Sequence, residues 1–480
     1  MLEVSKDVRA KKPVNGTKKP LKKRKKQKRE FDYNKIIAFF EARQPKTFRL
    51  GLFLAVVGLA IFGLFMIYSA SHYNANYYYG KPFYFVSKQA LGFALGLIAM
   101  TVLYFLDYRH YEKHFFAIFV FAVVLLLLVF TPLGISKLGA SRWIGFGSFS
   151  LQPSEIAKFA FVVFAAAIFS GAKIKLKKRG FSEKEIAQNQ FIYDNLSRAQ
   201  TQNPEKPLYR AQNSKALTSP NKSPYRARAK NPFANENAQP IPTLRQTFLV
   251  LAAGGILCAL VLAEPNLSIT MCLAITVFLM LVFCGVRFKV LKWFIIPAVL
   301  ALPALIIAEP YRIRRLLAFV DPWANPKDEG FQLIQSLYGL GNGGLFGVGF
   351  GESTQKYMFL PFSESDFIFS IIGEEFGLVG CVLFLAVLSY IVISIFRVGI
   401  DCPDRFGKYL CFGIGSVIAV QSLLNIAVVS GSIPPTGLPL PFISFGGTSL
   451  MVFMGAIGVV LNVHKQNRAN NEVNAVKKLK

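Results

Sequence analysis

Residues 339–380 combine the residue types and spacing that are most suited to chemistry. Seven glycines lie between Gly339 and Gly351, a Leu-Pro break follows at 360–361, and Asp366 then precedes a long apolar run. A carboxylate at the mouth of a membrane helix costs free energy, so it usually has a function. Because a glycine-rich loop lets a backbone approach a ligand closely, Asp366 is predicted to be an active-site base at a membrane surface.

A second group of polar residues lies in the segment 139–158, at the start of the fourth apolar run. Glu155 and Lys158 are three residues apart and therefore share one helix face. They form either a helix cap with an intramembrane ion pair or, together with Arg142, part of a cationic site for an anionic ligand. Gln152, next to the predicted start of this helix, is a further binding candidate.

The third group is a basic cluster in the long segment 309–365, made of Arg312, Arg314 and Arg315. Guanidinium donors match phosphate oxygens in pairs. The cluster therefore predicts binding of a lipid-linked phosphate or pyrophosphate, or else simple anchoring to lipid head groups.

The fourth group lies in residues 433–450, where four prolines fall within eight residues and exclude a regular helix. Non-helical backbone at membrane depth is tolerated only inside protein or against a cavity. The segment is therefore predicted to be a re-entrant cavity wall, in which Gly446, Gly447, Thr448 and Ser449 open the last span with exposed backbone donors.

The elements that must position these groups are apolar helices. The chain is 53% hydrophobic with a mean hydropathy of +0.41, above the usual composition of soluble domains. Runs long enough to span a bilayer predict an all-α polytopic membrane protein with about ten transmembrane helices and a large extracytoplasmic loop between spans 7 and 8. The predicted runs are roughly 50–70, 86–106, 115–134, 153–170, 247–264, 266–285, 290–308, 366–396, 408–430 and 443–463.

The net charge of +29 is concentrated in three segments, 1–50, 171–246 and 464–480, which together hold +26. With ten spans all three lie on one side, which the positive-inside rule makes cytoplasmic, with both termini inside. The loops around 71–85, 133–152, 309–365 and 431–445 then face outward. No motif or interleaved aromatics accompany the basic runs, so nucleic acid is not expected as a partner.

The predicted domains follow this pattern. Residues 1–48 form a basic disordered cytoplasmic tail with a possible interfacial helix, and 49–463 form the membrane domain. A basic cytoplasmic insertion at 171–246, too polar to fold, interrupts that domain, and 464–480 form a second basic tail.

Five motifs carry a resemblance to a known family. In chain order they are RWI…QPSEIAK, the EPN turn, DPW…GFQLIQSLYGLGNGGLFGVGFG, FLP…DFIFSIIGEEFGLVG and GLPLPFISFGGTSL. Together they resemble the SEDS family (shape, elongation, division and sporulation), the FtsW/RodA-type peptidoglycan glycosyltransferases. The segments QKYMFLP and PPTGLPLPF resemble the division-type branch more than the elongation-type branch.

The resemblance implies polymerisation of lipid II, a disaccharide-pentapeptide on undecaprenyl pyrophosphate, at the outer face of the cytoplasmic (inner) membrane. It implies that Asp366 is catalytic, and that Arg142 and Lys158 match the family's basic residues around the QPSE motif. It also implies a class B penicillin-binding transpeptidase and divisome membrane proteins as partners at the division septum. The remaining candidates for substrate or pyrophosphate binding are Arg314, Arg315, Gln152, Glu155, Gln335, Lys356, Ser444, Gly446 and Gly447.

The chain departs from the family pattern just before Asp366, where Phe362–Ser365 replaces Glu-Ala-His-Thr. Glu364 supplies a second carboxylate there, which could raise the pKa of Asp366 by like-charge repulsion. In the EPN turn Asn266 replaces an acid. Glu374 and Glu375 are predicted to be structural, bonded to neighbouring spans.

The predicted mechanism is inverting glycosyl transfer, with Asp366 as general base on the acceptor hydroxyl. The basic side chains, or a divalent cation such as Mg²⁺ or Mn²⁺, would balance the leaving pyrophosphate. No protein metal site is predicted. The alternatives are a lipid II flippase or transporter, a division scaffold, and an elongation-type (RodA-like) role.

Overall fold

A computed structural model of the protein describes residues 48–137, 140–146, 149–172 and 242–479. The predicted disordered tail and most of the predicted insertion lie outside the described residues. The described part contains twelve α-helices and three short strands. In chain order these are α1 Phe48–Tyr79, α2 Tyr84–Phe105, α3 Arg109–Leu128, β1 Gly134–Lys137, β2 Ala140–Phe146, β3 Phe149–Leu151, α4 Pro153–Ser170, α5 Leu244–Ala263, α6 Leu267–Phe283, α7 Phe288–Ile307, α8 Pro310–Val320, α9 Phe331–Asn342, α10 Ile368–Ile400, α11 Arg405–Val429 and α12 Gly447–Leu479.

Each of the ten predicted apolar runs coincides with one of these helices. Within the described residues, eight helices are long and apolar enough to cross a membrane, and α6 is an apolar helix of 17 residues. The seventh predicted run corresponds to the 20-residue α7. The prediction of a polytopic helical membrane protein is confirmed.

Three boundaries differ clearly from the prediction. Helix α12 runs on to Leu479 rather than to residue 463, so residues 464–479 of the predicted basic tail are helical. Helix α1 runs on to Tyr79, so most of the expected loop 71–85 is helical and only residues 80–83 connect α1 to α2. Helix α3 ends at Leu128, about one and a half turns before the predicted end, because the chain turns into a small sheet at Gly134. Apolar composition alone does not mark where a helix gives way to a strand.

The sheet was not predicted. Its order is β1-β2-β3, all antiparallel, with a register irregularity between Ile135 and Ser136. Ile144 on β2 is fully buried and packs with Leu125 and Val129 of α3 and the turn after it. Ile135 pairs with Trp143 and Ser136 pairs with Ser141, so Arg142 is the extra residue of a bulge in β2.

The centre of the bundle is formed by α4, α11 and α12. Their most apolar windows are 78%, 67% and 78% buried, whereas that of α2 is 22% buried. Glycines allow α2 and α12 to approach closely, and a Cβ added at Gly92 would lie 3.1 Å from the carbonyl oxygen of Gly447. Small residues at such crossings are typical of membrane helix packing.

Helix α10 is interrupted at Gly377, where φ is 65° and ψ is −164°. The glycine-rich loop fills the break with backbone hydrogen bonds on both sides. Val348 N donates to Glu374 O (2.9 Å), and Leu378 N donates to Gly344 O (3.0 Å). Backbone groups at membrane depth must be satisfied internally, and this loop satisfies the groups that the break leaves free.

This contact changes the interpretation of the glycines in residues 339–351. An added Cβ at Gly347 would lie 2.5 Å from Phe376 N, and one at Gly343 would lie 3.0 Å from Glu374 Cα. These glycines therefore bring the loop backbone against the backbone of α10 rather than against a ligand.

Side-chain hydrogen bonds also hold the end of the glycine-rich loop, and the residues that follow it, against α10. Glu374 accepts hydrogen bonds from Thr354 Oγ1 (2.8 Å) and from Ser353 Oγ, while Glu375 accepts one from Ser69 Oγ of α1. Both glutamates are 1% exposed. The prediction that they are structural agrees with these contacts, although Glu374 binds the loop rather than a neighbouring span.

Candidate functional site

Asp366 lies in the non-helical turn that precedes α10, at the end of the bundle where α4 and α12 begin and α11 ends. Its Oδ1 accepts a hydrogen bond from Ser365 Oγ (3.0 Å), and the residue is half-buried. A Cβ added at Gly437 would lie 3.2 Å from Asp366 Oδ2. The carboxylate thus faces the proline-rich segment predicted to be a cavity wall.

Burial raises the pKa of Asp366 above 3.8, and the positive charges of Arg315 and Arg142 act in the opposite direction. The prediction that this pKa is raised agrees with that direction, but the cause is desolvation and not the charge of Glu364. The pKa of Glu364 is itself raised, first by burial and then by the charge of Asp366.

Two of the predicted guanidinium groups act on Asp366. Arg142 donates from Nη2 to Pro265 O (2.5 Å) and from Nε to Glu264 O (3.4 Å), which ties β2 to the EPN turn. Arg315 is exposed, and its Nη1 donates to Pro435 O (3.4 Å).

Arg314 instead pairs with Glu329, its Nε lying 2.7 Å from Oε1, and its side chain is 59% exposed. The basic cluster therefore divides. Arg315 acts on Asp366, as Arg142 of β2 does, and Arg314 pairs with Glu329. Arg312 is largely buried and donates from Nε to Tyr311 Oη (3.1 Å).

Lys158 and Glu155 form the ion pair that their spacing predicts, with Nζ 2.9 Å from Oε1 and both side chains fully buried. Lys158 Nζ also donates to Gln421 of α11, and Ser449 of α12 donates to Glu155 Oε2 (3.1 Å). A buried pair needs such additional partners. These contacts join α4, α11 and α12 near the start of α4, whose N-cap residue is Gln152.

The proline-rich segment is non-helical up to Gly447, as predicted. Ser444 Oγ donates to Ser365 O (2.7 Å), the carbonyl that directly precedes Asp366 in the chain. Gly446 N donates to Gln89 Oε1 of α2 (2.9 Å), and Gly447 begins α12. Of these three predicted residues, Ser444 contacts the turn before Asp366. Gly446 and Gly447 contact α2 instead, and the donor of Gly446 is already used by the protein.

Glu264 is a buried carboxylate close to Arg142. It is 1% exposed, and within the described part of the chain neither carboxylate oxygen has a hydrogen-bond partner. Burial raises the pKa of Glu264 to about 8, against the opposing charge of Arg142. A carboxyl group in this state is largely protonated at neutral pH.

Two predicted candidates lie away from these contacts. Lys356 is 1% exposed, donates to Gly351 O and lies 3.6 Å from Glu375, so it belongs to the loop that fastens to α10. Gln335 lines a cleft of about 410 Å³ whose other residues are Trp323, Pro326, Lys327, Phe331, Ile334 and Tyr338.

Three amide side chains that contact the site were missed from the sequence. Asn425 Nδ2 donates to Asp366 O (2.7 Å), Gln421 binds Lys158, and Gln89 Nε2 donates to Ser444 O (3.1 Å). A signal was available, because Gln421 and Asn425 are four residues apart in an apolar span and hence on one face. Polar residues inside spans are expensive and usually have partners.

The described residues contain no group of three or more His, Cys, Asp or Glu side chains that could hold a metal ion. The donor set at Asp366 does not make a protein cage for Mg²⁺ or Mn²⁺, so no step is assigned to a divalent cation.

Known proteins are similar to this chain over most of its length. The cell cycle protein family of FtsW, RodA and SpoVE matches residues 50–190 and 229–469. The probable peptidoglycan glycosyltransferase FtsW of Geobacter metallireducens is 34% identical over 424 residues, 88% of this chain and 96% of that protein. Stage V sporulation protein E of Bacillus subtilis is 32% identical over 422 residues, 87% of this chain and 97% of that protein.

Solved structures share the fold. One, of a peptidoglycan synthase complex that coordinates polymerization and crosslinking, has a TM-score of 0.60 at 22% identity and covers 87% of this chain and 98% of that chain. The crystal structure of the rod shape determining protein RodA of Thermus thermophilus has a TM-score of 0.54 at 20% identity, covering 87% and 96%. With five motifs in order, a family match over most of its length and this shared fold, the chain belongs to the FtsW/RodA/SpoVE family of cell cycle proteins.

Proposed function

We propose that the protein is a peptidoglycan glycosyltransferase that polymerises lipid II at the outer face of the cytoplasmic membrane. The observation that carries the proposal is the half-buried Asp366, whose carboxylate faces Gly437 of the proline-rich wall and is acted on by the charges of Arg142 and Arg315, at one end of a bundle with this family's fold. Relatives named as probable peptidoglycan glycosyltransferases support the reaction class.

The reaction follows from these groups. Asp366, as carboxylate, accepts the proton of the acceptor sugar hydroxyl. The oxygen of that hydroxyl forms a bond to the anomeric carbon of the donor, and the bond from this carbon to the pyrophosphate oxygen breaks with inversion. Arg142 and Arg315 stabilise the charge that develops on the pyrophosphate. Lys158 is fully buried against Glu155 and Gln421, so we assign it to holding the wall rather than to binding the pyrophosphate.

The pH dependence of this step has a defined sign. The base is active only when ionised, so the rate falls as the pH drops through the pKa of Asp366. Because burial raises that pKa above 3.8, the acid limb of the rate profile lies above the ordinary range of an aspartate.

The reaction is tested with purified protein and its transpeptidase partner, using labelled lipid II and sizing of the glycan products. We expect polymer from the wild type and none from Asp366→Asn. Asp328→Asn, which replaces an exposed carboxylate between α8 and α9, should make as much polymer as the wild type. Equal polymer from Asp366→Asn and wild type would refute the assignment of the base. Lipid translocation in vesicles without polymer would favour a transporter, and neither activity would favour a scaffold.

We further propose a class B penicillin-binding transpeptidase as partner and a role at the division septum, together with other divisome membrane proteins. A solved complex of similar fold that combines polymerization and crosslinking supports the first, and relatives named FtsW support the second. Depletion in the source organism should give filaments with unfinished septa. Round cells after depletion would indicate an elongation-type role instead.

A further inference from the structure

The side-chain amide of Asn425 joins the two segments that surround the Asp366 carboxylate. Asn425 lies on α11 and is 1% exposed. Its Nδ2 donates to Asp366 O (2.7 Å) and to Leu438 O (2.6 Å). The two hydrogens of a single amide nitrogen thus bind the backbone of the catalytic turn and the backbone of the proline-rich wall.

Gln421, one helical turn earlier on α11, makes a second connection of the same kind. Its Nε2 donates to Pro439 O (2.8 Å), and its Oε1 accepts from Lys158 Nζ. Adjacent carbonyls of the wall, Leu438 O and Pro439 O, are therefore held by two amides on one helix face.

The turn that carries Asp366 has little regular structure of its own. It precedes the first helical residue, Ile368, and Phe362 within it has a positive φ of 57°. The position of the carboxylate therefore depends on what holds the backbone, namely Asn425 at Asp366 O and Ser444 at Ser365 O.

The opposite wall depends on the same amide. Gly437, which faces Asp366 Oδ2, directly precedes Leu438 and has a φ of 76°. The Nδ2 bond to Leu438 O therefore also sets how closely this wall approaches the carboxylate. Asn425 Oδ1 is buried without a hydrogen-bond partner in the described part of the chain, a cost that a side chain selected only for stability would avoid.

We propose that Asn425 is a positioning residue, whose amide sets the geometry between the Asp366 carboxylate and the wall that faces it. This inference rests on the proposed function, because it assigns Asn425 a part in the reaction at Asp366. A displacement of about 1 Å at a reacting group can cost about 100-fold in rate, so loss of the amide should lower turnover far more than substrate binding.

Three variants test the inference in the polymerisation assay, with kcat and KM for lipid II measured across pH. Asn425→Leu removes both donors without adding charge, and we expect kcat to fall roughly 10- to 100-fold with KM little changed. Asn425→Asp keeps the size of the side chain and places a carboxyl beside Asp366. Like charge there raises the pKa of the base, so the acid limb of kcat should move to higher pH.

Ser422→Ala is the matched control, because Ser422 is a buried α11 residue whose hydroxyl donates to Ile418 O of its own helix. We expect wild-type kcat and an unchanged acid limb. If Asn425→Leu folds poorly, the near-isosteric Asn425→Asp still decides the question through its pH profile.

The inference is overturned if Asn425→Leu retains wild-type kcat, or if Asn425→Asp leaves the acid limb in place. If either result occurs while the wild type makes polymer and Asp366→Asn does not, only the role of Asn425 is refuted. Absence of polymer from the wild type would instead count against the proposed function.

Discussion

Replacing Gly347 by alanine tests whether the glycine-rich loop serves helix α10 rather than a ligand. Gly347 has a φ of 81°, and an added Cβ would lie 2.5 Å from Phe376 N. Gly351 supplies the matched control, because it has a φ of 86° and an added Cβ there would meet nothing within 4 Å. The two alanine variants thus share the backbone strain and differ in the contact with α10.

The expected magnitudes follow from that difference. The left-handed conformation costs an L-residue about 1–2 kcal/mol at either site. At Gly347 the new methyl must also move by about 1 Å to reach a normal contact distance of about 3.5 Å. Such a shift would stretch the bonds from Val348 N to Glu374 O (2.9 Å) and from Gly349 N to Glu375 O (3.1 Å). Losing two backbone bonds adds about 1–3 kcal/mol.

The measurement is the free energy of unfolding in detergent micelles, from denaturant titration of the purified variants. We expect Gly351→Ala to lose about 1–2 kcal/mol and Gly347→Ala to lose about 2–5 kcal/mol in all. Hydrogen exchange should also rise at the amides of residues 348 and 349 in Gly347→Ala alone. Equal destabilisation by the two variants would show that the contact between the loop and α10 contributes nothing to the free energy of unfolding.

Two further predictions concern the carboxyl groups near the site. In Gly437→Ala the added methyl would lie 3.2 Å from Asp366 Oδ2 and exclude water from the carboxylate. We expect the rate of polymerisation to fall about tenfold, a barrier increase of about 1.4 kcal/mol. The acid limb of the rate profile should also move to higher pH. Gly431→Ala is the control, because Gly431 has a comparable φ of 67° and an added Cβ there would lie an ordinary 3.4 Å from Leu337 Cδ2. It should change neither the rate nor the acid limb, and equal rates for the two variants would refute the argument. The pKa of Glu264, raised from 4.5 to about 8 in the folded protein, means that the folded state binds the extra proton, so wild-type stability should fall as pH rises between these values. Glu264→Gln should lose that slope in pH-dependent thermal unfolding, and an identical slope in the variant would contradict the raised pKa of Glu264.

Much of the helical framework could be predicted because membrane spans obey a strong local rule. Any apolar run of about 20 residues must satisfy its backbone internally, so length and composition suffice to locate it. The spacing rule for helices identified Glu155 and Lys158 as neighbours on one face, and their ion pair is present. Asp366 stood out for a related reason, since a charge next to a span is costly wherever it lies.

Tertiary structure decided what the glycine-rich loop and the amides contact. Seven glycines in residues 339–351 are equally suited to a ligand or to another backbone. Only the folded structure shows that Gly343 and Gly347 pack on the backbone of α10 beside its break at Gly377. The division of the basic cluster likewise depends on Glu329, which lies beyond the end of the helix that carries Arg314.

By itself, therefore, the sequence determined the spans, the candidate base and the family, because these depend on composition and on residues close together in the chain. The geometry around Asp366 depends on Asn425 and Gly437, of which Asn425 lies 59 residues further along and Gly437 lies beyond it on the proline-rich wall. Only the packing of α11 against the turn before α10 brings the Asn425 amide within hydrogen-bond distance of Asp366 O. Hydrogen bonds act over about 3 Å, and no sequence pattern specifies that distance.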